Sequence, residues 1–539
     1  MISEDFFMGR DSMKTIVKQL KVEDKVLCEQ VHFTVSEGEH IALIGHNGVG
    51  KSTLLYQLRD DYDAVILEQE TMSDDVVMDY ILSVRPDIYA VKQRIVDDYE
   101  AISDYIELSG YELENTVITY IKKFGMAESL IERAVNTLSG GEQTKVSLIR
   151  LLVSGKDWFL FDEPTNHIDQ ETKAWLIDWM QEAGQTILFA SHDRDFINQT
   201  ATKIIEMTAD RTYTYQMNYD DYAVEKERQD RENAALIQKE NKEKQKMRRM
   251  IQEMKEWHHE ASAKASVRNP GEQKKVAKIA KRYKTKEHQL EQKLTGFTAQ
   301  RDKQPRTEYD LKHSGFRGRY LVQAENISLK FGEKVLFTDV SFQIKPGDKI
   351  ALTGKNGSGK TSLLKLLLNE LEPDTGSLQL NPNVKIGYFS QQLENLNDAN
   401  TVLEEVQSLN IASASEVRTI LASFRFGADR MDDQVAYLSM GEKCRLSFIK
   451  LYFSEANLLL LDEPTNYFDI EMQGLIEAML QKFEGAILFI SHDPYFCEAV
   501  STRQWKIEQQ SLIDLNLVGE KAENEELLNN FYKLDDILE

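Results

Sequence analysis

The feature that most constrains the fold of this chain is an internal duplication. Four motifs of the first half return in the same order in the second: GHNGVGKST (45–53) as GKNGSGKTS (354–362), LSGGE (138–142) as LSMGE (438–442), FLFDEPTN (159–166) as LLLDEPTN (459–466), and SHD (191–193) as SHD (491–493). A repeated order of motifs indicates two copies of one domain. Any fold proposed for the first half must therefore also serve the second.

The spacing between the later motifs is the same in both halves. Ser139 and Glu163 are 24 residues apart, as are Ser439 and Glu463, and each glutamate precedes a histidine by 29 residues. The halves differ upstream, where the first is 9 residues longer between the lysine of its glycine-rich loop and the serine of LSGGE. Length variation is thus confined to one region of the duplicated domain.

Each half is predicted to fold as an α/β domain. Short apolar runs such as IALIG and LLLLD alternate with helical patterns such as STLLYQL, which is typical of a parallel sheet covered on both faces. The predicted organisation is a first domain at 1–222 with a short helical arm within about 72–135, a linker at 223–318, and a second domain at 319–539. An acidic surface helix is expected at 522–539.

The linker differs from both domains in charge and pattern. The chain has a formal net charge of −24, yet residues 223–318 carry 25 Lys and Arg against 15 Asp and Glu. That segment is therefore +10 and the remainder −34. From about 223 to 262 the sequence is rich in charged residues and nearly free of Gly and Pro, and forty residues of helix would reach about 60 Å. The turn signal Asn269-Pro270-Gly271 and a second basic helix at 273–296 predict a projecting hairpin, with a solvated tether as the alternative.

The glycine-rich loops have the pattern G-x-x-x-x-G-K-[S/T], which is typical of phosphate binding. The glycines let backbone N–H groups approach a phosphate, the lysines are predicted to reach the terminal phosphates, and Ser52 and Thr361 are predicted to ligate Mg²⁺. The predicted loop residues are Gly45, His46, Asn47, Gly48, Val49, Gly50, Lys51, Ser52 and Thr53, then Gly354, Lys355, Asn356, Gly357, Ser358, Gly359, Lys360, Thr361 and Ser362.

Carboxylates and histidines follow the buried strands downstream of each loop. Asp162 and Asp462 are predicted to bind Mg²⁺ through its ligand shell, because a carboxylate at a strand end can reach the ion. The adjacent Glu163 and Glu463 are the candidate general bases for hydrolysis. The histidines of the two SHD motifs recur at one spacing, which favours a contact with phosphate or water. Those histidines are His192 and His492.

LSGGE, DEPTN and SHD together resemble the ATP-binding-cassette superfamily, and the resemblance covers both halves. It implies that two cassettes close head to tail around two ATP molecules with Mg²⁺. The LSGGE motif, called the signature, would then cap the ATP held by the opposite cassette. The signature residues are Ser139, Gly140, Gly141 and Glu142, then Ser439, Met440, Gly441 and Glu442. Gln69 and Gln391 match the glutamine that contacts the metal in this superfamily.

Three departures separate the two halves. Met440 replaces the glycine found at Gly140, which removes a conformationally free residue from the capping turn. Phe331 could stack on adenine, whereas the aligned residue of the first half is Val22. The first half continues its acidic motif as PTNHID and the second as PTNYFD. These differences predict unequal turnover at the two sites.

No stretch approaches the roughly 20 apolar residues of a membrane helix, and Cys28, Cys444 and Cys497 show no disulfide or metal spacing. We therefore expect a cytoplasmic protein without a stable membrane partner, with all three thiols as small apolar residues. Paired cassettes with a long basic linker resemble the ABC-F family, soluble proteins that act on the ribosome. The resemblance implies a monomer with two cassettes in one chain.

Two types of ABC-F protein remain open, resistance proteins that protect the ribosome from antibiotics and housekeeping translation factors. The short arm favours the resistance type. The resemblance then places the linker tip, near Trp257, His258, His259 and 266–269, toward the peptidyl-transferase region, with 23S rRNA and tRNA as partners. The alternative for Trp257 is a contact between the two helices of the linker. The alternatives from other classes are the energising subunit of a transporter and a DNA-associated cassette ATPase.

Overall fold

The computed structural model describes residues 14–22, 25–67, 73–95, 97–166, 168, 170–264, 278, 281, 284–285, 318–332, 334–355, 357–390, 396–408, 413–465 and 468–516. The first-half strands are β1 (Lys14–Val22), β2 (Lys25–Val35), β3 (His40–Gly45), β4 (Val65–Leu67), β5 (Trp158–Asp162), β6 (Thr186–Ala190), β7 (Lys203–Met207) and β8 (Thr212–Tyr215). The helices are α1 (Lys51–Tyr62), α2 (Val77–Leu82), α3 (Pro86–Arg94), α4 (Ala101–Glu107), α5 (Gly110–Lys123), α6 (Gly140–Leu152), α7 (Gln170–Glu182), α8 (Arg194–Thr200) and α9 (Tyr219–Lys264).

Among the described residues, the second half has a similar order, with one additional strand, β12 (Thr375–Leu380), and fewer helices before its signature. Its strands are β9 (Val322–Phe331), β10 (Lys334–Ile344), β11 (Lys349–Gly354), β12 (Thr375–Leu380), β13 (Ile386–Phe389), β14 (Leu458–Asp462), β15 (Ala486–Ile490), β16 (Arg503–Glu508) and β17 (Ser511–Asp514). Its helices are α10 (Lys360–Leu367), α11 (Val402–Gln407), α12 (Ala414–Ser423), α13 (Met440–Phe453), α14 (Ile470–Lys482) and α15 (Pro494–Val500).

Each half contains a six-stranded sheet of the same topology. The strand orders are β4-β5-β6-β3-β7-β8 and β13-β14-β15-β11-β16-β17, parallel except for the final antiparallel strand of each. The inner strands β5, β6, β14 and β15 are buried at every position, which explains their continuous apolar sequences. The predicted α/β fold with two cassettes is confirmed. Both cassettes pack into one compact unit.

The parallel sheets bring the predicted site residues to one edge. The glycine-rich loop follows β3, the acidic pair ends β5, and the SHD motif follows β6, with β3 and β6 as neighbours. In an open α/β sheet the carboxyl ends of adjacent strands form the ligand crevice. The strand ends of the second cassette, β11, β14 and β15, are arranged in the same way.

The interval of the first cassette in which a short arm is predicted contains additional helices, and the arm itself stays a prediction. The second cassette has α11 and α12 between β13 and its signature. The first cassette has α2 through α5 between β4 and its signature. Tyr105 of α4 is buried, donates its hydroxyl to Glu114 at 2.9 Å and meets Tyr111 edge to face. The added helices are therefore packed by their own side chains, which fits a short and compact insertion.

The linker begins with one continuous helix. α9 runs for 46 residues from Tyr219, which at about 1.5 Å per residue gives roughly 70 Å. Arg228 and Arg231 pair with glutamates three or four residues away, so the exposed start of α9 is supported by its own ion pairs. The turn at 269–271, most of the return helix at 273–296 and the tail at 522–539 lie outside the described residues. The boundaries at 222 and 318 remain predictions.

Candidate active site

Glycine is required where each phosphate loop meets its helix. Gly50 and Gly359 precede α1 and α10 with the same left-handed φ of 103°. A Cβ atom on Gly50 would collide with Leu20, and one on Gly359 would lie 2.7 Å from Phe337 Cζ. The loops therefore need glycine both for backbone conformation and for space. Each loop leads directly into the N-terminus of a helix, where backbone N–H groups favour a phosphate.

The loop lysines are buried and fold back over their own loops. Lys51 Nζ donates to the carbonyl oxygen of Gly45 at 2.8 Å, and Lys360 Nζ donates to that of Gly354 at 2.8 Å. Burial lowers the pKa of both lysines, while the neighbouring acidic residues oppose the shift. Each ammonium group thus sits where it can turn toward a bound phosphate.

Each metal-ligand candidate carboxylate lies beside the predicted hydroxyl ligand. Asp162 accepts a hydrogen bond from Ser52, and Asp462 accepts one from Thr361. Burial raises the pKa of both aspartates, whereas these hydrogen bonds and the loop lysines oppose the rise. Hard oxygen donors of this kind, completed by phosphate oxygens and water, suit Mg²⁺. The residues present therefore fit that ion.

The candidate bases are held in an uncommon backbone conformation. Glu163 and Glu463 have φ values of 52° and 50°, in the left-handed region that non-glycine residues rarely adopt. Strain of this kind concentrates at functional sites, where the surrounding structure fixes it. Burial raises the pKa of Glu163 to about 8 and that of Glu463 to about 7. A carboxylate whose pKa lies near neutrality is well suited to accept a proton from water.

The histidine of the first cassette contacts both the base and the phosphate loop. His192 Nε2 lies 2.9 Å from Asn47 Oδ1 and 3.3 Å from Glu163 Oε1. Burial lowers the pKa of His192 to about 3, so the imidazole is neutral at pH 7. Because both neighbours of Nε2 are acceptors, the proton is assigned to Nε2. The buried Nδ1 has no hydrogen-bond partner among the described residues.

The histidine of the second cassette is oriented by a residue of the first, across the interface between the two cassettes, which we call the seam. Gln170 of the first cassette donates its Nε2–H to His492 Nδ1 at 3.0 Å. This leaves the imidazole proton on Nε2, which lies 3.3 Å from Glu463 Oε1. Burial lowers the pKa of His492 to about 4. Ile470 occupies the position equivalent to Gln170. Because its side chain has no hydrogen-bond donor, Ile470 cannot orient His192 in the same way.

Both signatures begin a helix with the same capping box. The side chains of Ser139 and Ser439 accept from the backbone N–H three residues later, and Glu142 and Glu442 reach back to the serine backbone. Met440 stands where the first cassette has Gly140, at the first position of the signature helix. Ser139 and Ser439 have nearly identical backbone angles, and a Cβ atom at Gly140 meets nothing within 4 Å. Methionine is accommodated there without a change of backbone.

One cavity of about 1500 Å³ brings these groups together. It is lined by residues of both phosphate loops, both signatures, both acidic pairs and both histidines. A pocket for one drug-sized ligand has a volume of roughly 300–1000 Å³, so this cavity suits more than one nucleotide. Phe331, 63% exposed, also lines the cavity, whereas Val22 does not. Gln69, Gln391 and Asn356 lie outside the described residues, so their predicted contacts remain predictions.

Several residues at the seam were not found from the sequence. Asp469 of the second cassette accepts from the backbone N–H of Asn47 at 3.3 Å, and Lys355 pairs with Glu171 of the first cassette at 2.9 Å. Arg194 is buried between the cassettes. The aspartate of PTNHID and PTNYFD recurs at one spacing, and that repetition is the signal that could have indicated Asp469.

Comparisons with known proteins agree with this architecture. The family description "ABC transporter" matches residues 28–166 and 337–466. ATP-binding protein Uup of Escherichia coli is 30% identical over 525 residues, covering 91% of this chain and 79% of that protein. ABC transporter F family member 5 of Arabidopsis thaliana is 31% identical over 527 residues, covering 90% and 73%. The chain belongs to the ABC-F family. It is an ATPase with two ATP-binding cassettes.

The ABC-F protein is also similar to Ribosome protection protein VmlR of Bacillus subtilis, at 27% identity over 94% of this chain and 89% of that protein. Among solved structures, RNase-L Inhibitor matches with a TM-score of 0.55 at 18% identity, covering 92% of this chain and 89% of that one. That structural likeness shows the tandem-cassette fold. Within the part of the ABC-F chain that the structure describes, no helix is long and apolar enough to span a bilayer.

Proposed function

We propose that this ABC-F ATPase binds the ribosome when ATP closes its cassettes, and that its linker then reaches toward the peptidyl-transferase region and protects the ribosome from antibiotics. The observation that carries the proposal is the shared nucleotide cavity together with α9, a 46-residue helix that continues directly from the first cassette. A seam that closes on ATP can do mechanical work on whatever is joined to it.

In the proposed cycle each ATP lies between one phosphate loop and the opposite signature. Lys51 or Lys360 would hold the phosphates. Asp162 or Asp462 would hold Mg²⁺, which would supply positive charge to neutralise them. Glu163 or Glu463 accepts a proton from the water that attacks the γ-phosphorus, and ADP leaves with its β-phosphate oxygen. The neutral histidines donate Nε2–H toward the same region. Two bound nucleotides thus hold the cassettes together until hydrolysis.

The charge of the linker indicates which part meets RNA. α9 carries 11 Lys and Arg and 11 Asp and Glu, so the helix as a whole is neutral. Residues 265–318 carry 14 basic and 6 acidic residues, a net of +8. Attraction to rRNA phosphates therefore comes mainly from the second part of the linker. The acidic cassettes would favour contact through this basic segment.

The relatives support a ribosomal partner. VmlR is named a ribosome protection protein, and a further solved structure, with a TM-score of 0.55 at 18% identity, is a complex of the archaeal ribosome recycling factor aABCE1 with a ribosomal stalk protein. It covers 92% of this chain and 90% of that one. We extend a ribosomal role to this chain, acting as a cytoplasmic monomer.

Trapping on ribosomes tests the proposed partner. The double variant E163Q/E463Q retains the isosteric side chains but lacks both bases, so it should remain closed on ATP. In sucrose gradients it should sediment with ribosomes when ATP is present and stay at the top when ATP is replaced by ADP. Migration with membranes instead would favour the transporter alternative. Binding independent of nucleotide would contradict the proposed cycle.

Drug tolerance tests the proposed outcome. Expression in a sensitive host should raise tolerance to ribosome-targeting antibiotics while intracellular drug levels stay unchanged, and the E163Q/E463Q variant should give no tolerance. Ribosome binding without tolerance would favour a translation factor. The added helices α3 and α4 are the observation that keeps this second candidate in view, because an arm in the first cassette is typical of that type.

A further inference from the structure

The second cassette places an arginine where the first has a glycine. Gly125 and Arg425 each lie 14 residues before the serine of their signature. Both follow the last turn of a helix, α5 or α12, and both adopt a left-handed conformation, with φ of 69° and 65°. This is the position after a helix at which glycine is preferred. An arginine there stores strain that glycine would not, and nothing about the turn itself requires it.

The backbone around the two residues is otherwise the same. Met126 N donates to the carbonyl oxygen of Ile121 at 3.0 Å, and Phe426 N donates to that of Leu421 at 2.9 Å. These are the corresponding bonds of one helix-ending motif. The fold of the turn therefore does not explain Arg425, and its side chain must.

The guanidinium of Arg425 bridges two carboxylates that face the other cassette. Its NH1 lies 2.6 Å from Asp469 Oδ2, and its NH2 lies 2.9 Å from Glu471 Oε2. His46 of the first phosphate loop approaches the same two carboxylate oxygens, with Nδ1 3.9 Å from Asp469 Oδ2 and Nε2 3.6 Å from Glu471 Oε2. The four side chains form a closed ring across the seam.

Asp469 also accepts a hydrogen bond from the backbone of the first phosphate loop. Its Oδ2 accepts the backbone N–H of Asn47 at 3.3 Å, while its Oδ1 accepts that of Met472 and caps α14. The Asp469 side chain is 4% exposed, so its orientation is fixed by these partners and by Arg425. A shift of the Asp469 carboxylate would therefore disturb its hydrogen bond with the backbone N–H of Asn47 in the first phosphate loop.

The other end of the seam is built differently. Lys355 of the second loop meets Glu171 through a pair whose side chains are 88% and 83% exposed. The residue equivalent to Arg425 is Gly125, which has no side chain to join such a pair. Solvent-exposed ion pairs contribute little, whereas the ring at the first loop includes a buried carboxylate.

We propose that Arg425 is a positioning residue for the first nucleotide site: it holds Asp469 and Glu471 against the phosphate loop of the first cassette and thereby makes that site close differently from the second. Arg425 acts through the two carboxylates and does not itself contact the reacting groups. The inference concerns the ATPase cycle and stands whether or not the ribosome is the partner.

Site-resolved turnover without ribosomes tests this assignment. In the E463Q background the first site performs the hydrolysis, and in the E163Q background the second site does. R425G, which copies Gly125 and relieves the strained backbone, should lower kcat at the first site about tenfold, with the KM for ATP changing less than about threefold. The second site should stay within about twofold. R425K keeps the positive charge but lacks the two guanidinium NH₂ groups that bridge the carboxylates. Its first-site kcat should lie between that of R425G and that of the parent.

A double-mutant cycle and a stability control exclude a general effect. E471Q should lower first-site turnover in the same direction, and R425G/E471Q should fall no further than R425G alone. Melting temperatures should stay within a few degrees of the parent. Equal losses at both sites, full additivity of the two changes, or an unchanged first site would each overturn the proposal. An absence of ribosome binding would leave this test unaffected.

Discussion

Single side chains at the seam differ more than the repeated motifs suggest. Glu163 and Glu463 share a left-handed backbone, deep burial and a raised pKa, so the two candidate bases themselves have similar surroundings. Their histidines are fixed differently, because Gln170 reaches His492 and no equivalent glutamine is present in the second cassette. Chemistry that looks duplicated in the sequence is therefore supported by unequal surroundings.

Burial of the bases makes stability depend on pH. Between pH 4.5 and about 7, folded Glu463 retains a proton that the unfolded chain has released, so the free energy of unfolding falls as pH rises through this window. E463Q carries no charge and should escape that penalty. Its stability relative to wild type should increase by on the order of 2 kcal/mol from pH 5 to pH 8, measured by denaturant unfolding. The exposed variant E182Q should show no such trend, and parallel profiles for E463Q and wild type would contradict the assigned cause.

The contact from Gln170 predicts an effect on the second site. Q170I copies Ile470 and removes the donor that fixes the tautomer of His492. Turnover in the E163Q background, which reports the second site, should fall about tenfold. Turnover in the E463Q background should change less than about twofold. A loss shared equally by both backgrounds would show that Gln170 acts on the seam as a whole.

Helices of the two cassettes are joined by one buried ion cluster. Arg194, the first residue of α8, lies 2.5 Å from Glu477 of α14 and 2.6 Å from Asp493, which caps α15. The side chains are 7%, 13% and 12% exposed, and Arg194 also stacks over Tyr495 at 5.3 Å. Pro494 stands at the equivalent position in the second cassette, so Pro494 cannot form the reciprocal ion pair.

Removal of this arginine should weaken the packing of the cassettes. R194A leaves two carboxylates buried without their cation, and breaking a buried pair in this way costs about 3–5 kcal/mol. Thermal unfolding monitored by calorimetry should show a clear fall in melting temperature. R94A, which breaks the exposed pair with Asp98 on the arm, should change stability by less than about 0.5 kcal/mol. Similar effects of the two variants would show that burial at the seam is unimportant.

The complete chain combines an acidic ATPase with a linker whose positive charge lies mainly beyond α9. If that segment meets rRNA, neutralising four of its cations (K274A/K275A/K281A/R282A) should weaken ribosome binding and lower the slope of log affinity against log salt by about 3. The control R228A/R231A removes cations already paired within α9. The two sets should differ clearly in pelleting assays across a salt series, and equal slopes would contradict an RNA contact by the second part of the linker.

The sequence by itself determined the duplicated α/β fold, the phosphate loops and the positions of the acidic pairs and histidines. These features are local: a glycine-rich turn, a buried strand and the carboxylate that ends it lie within a few residues of one another. The replacement of glycine by Met440 is also a local matter, because a Cβ atom at the equivalent Gly140 meets nothing within 4 Å.

The tertiary structure alone decided the seam. Arg425 meets Asp469 across 44 residues, Gln170 meets His492 across 322, and Arg194 meets Asp493 across 299. No propensity or periodicity relates residues so far apart. The contact of Arg425 with Asp469 depends on packing within the second cassette, and the other two contacts depend on how the two cassettes pack together. An arginine before the signature is an ordinary residue in the sequence. It acquires a role only when the folded second cassette brings it to Asp469 and Glu471, which lie beside the first phosphate loop.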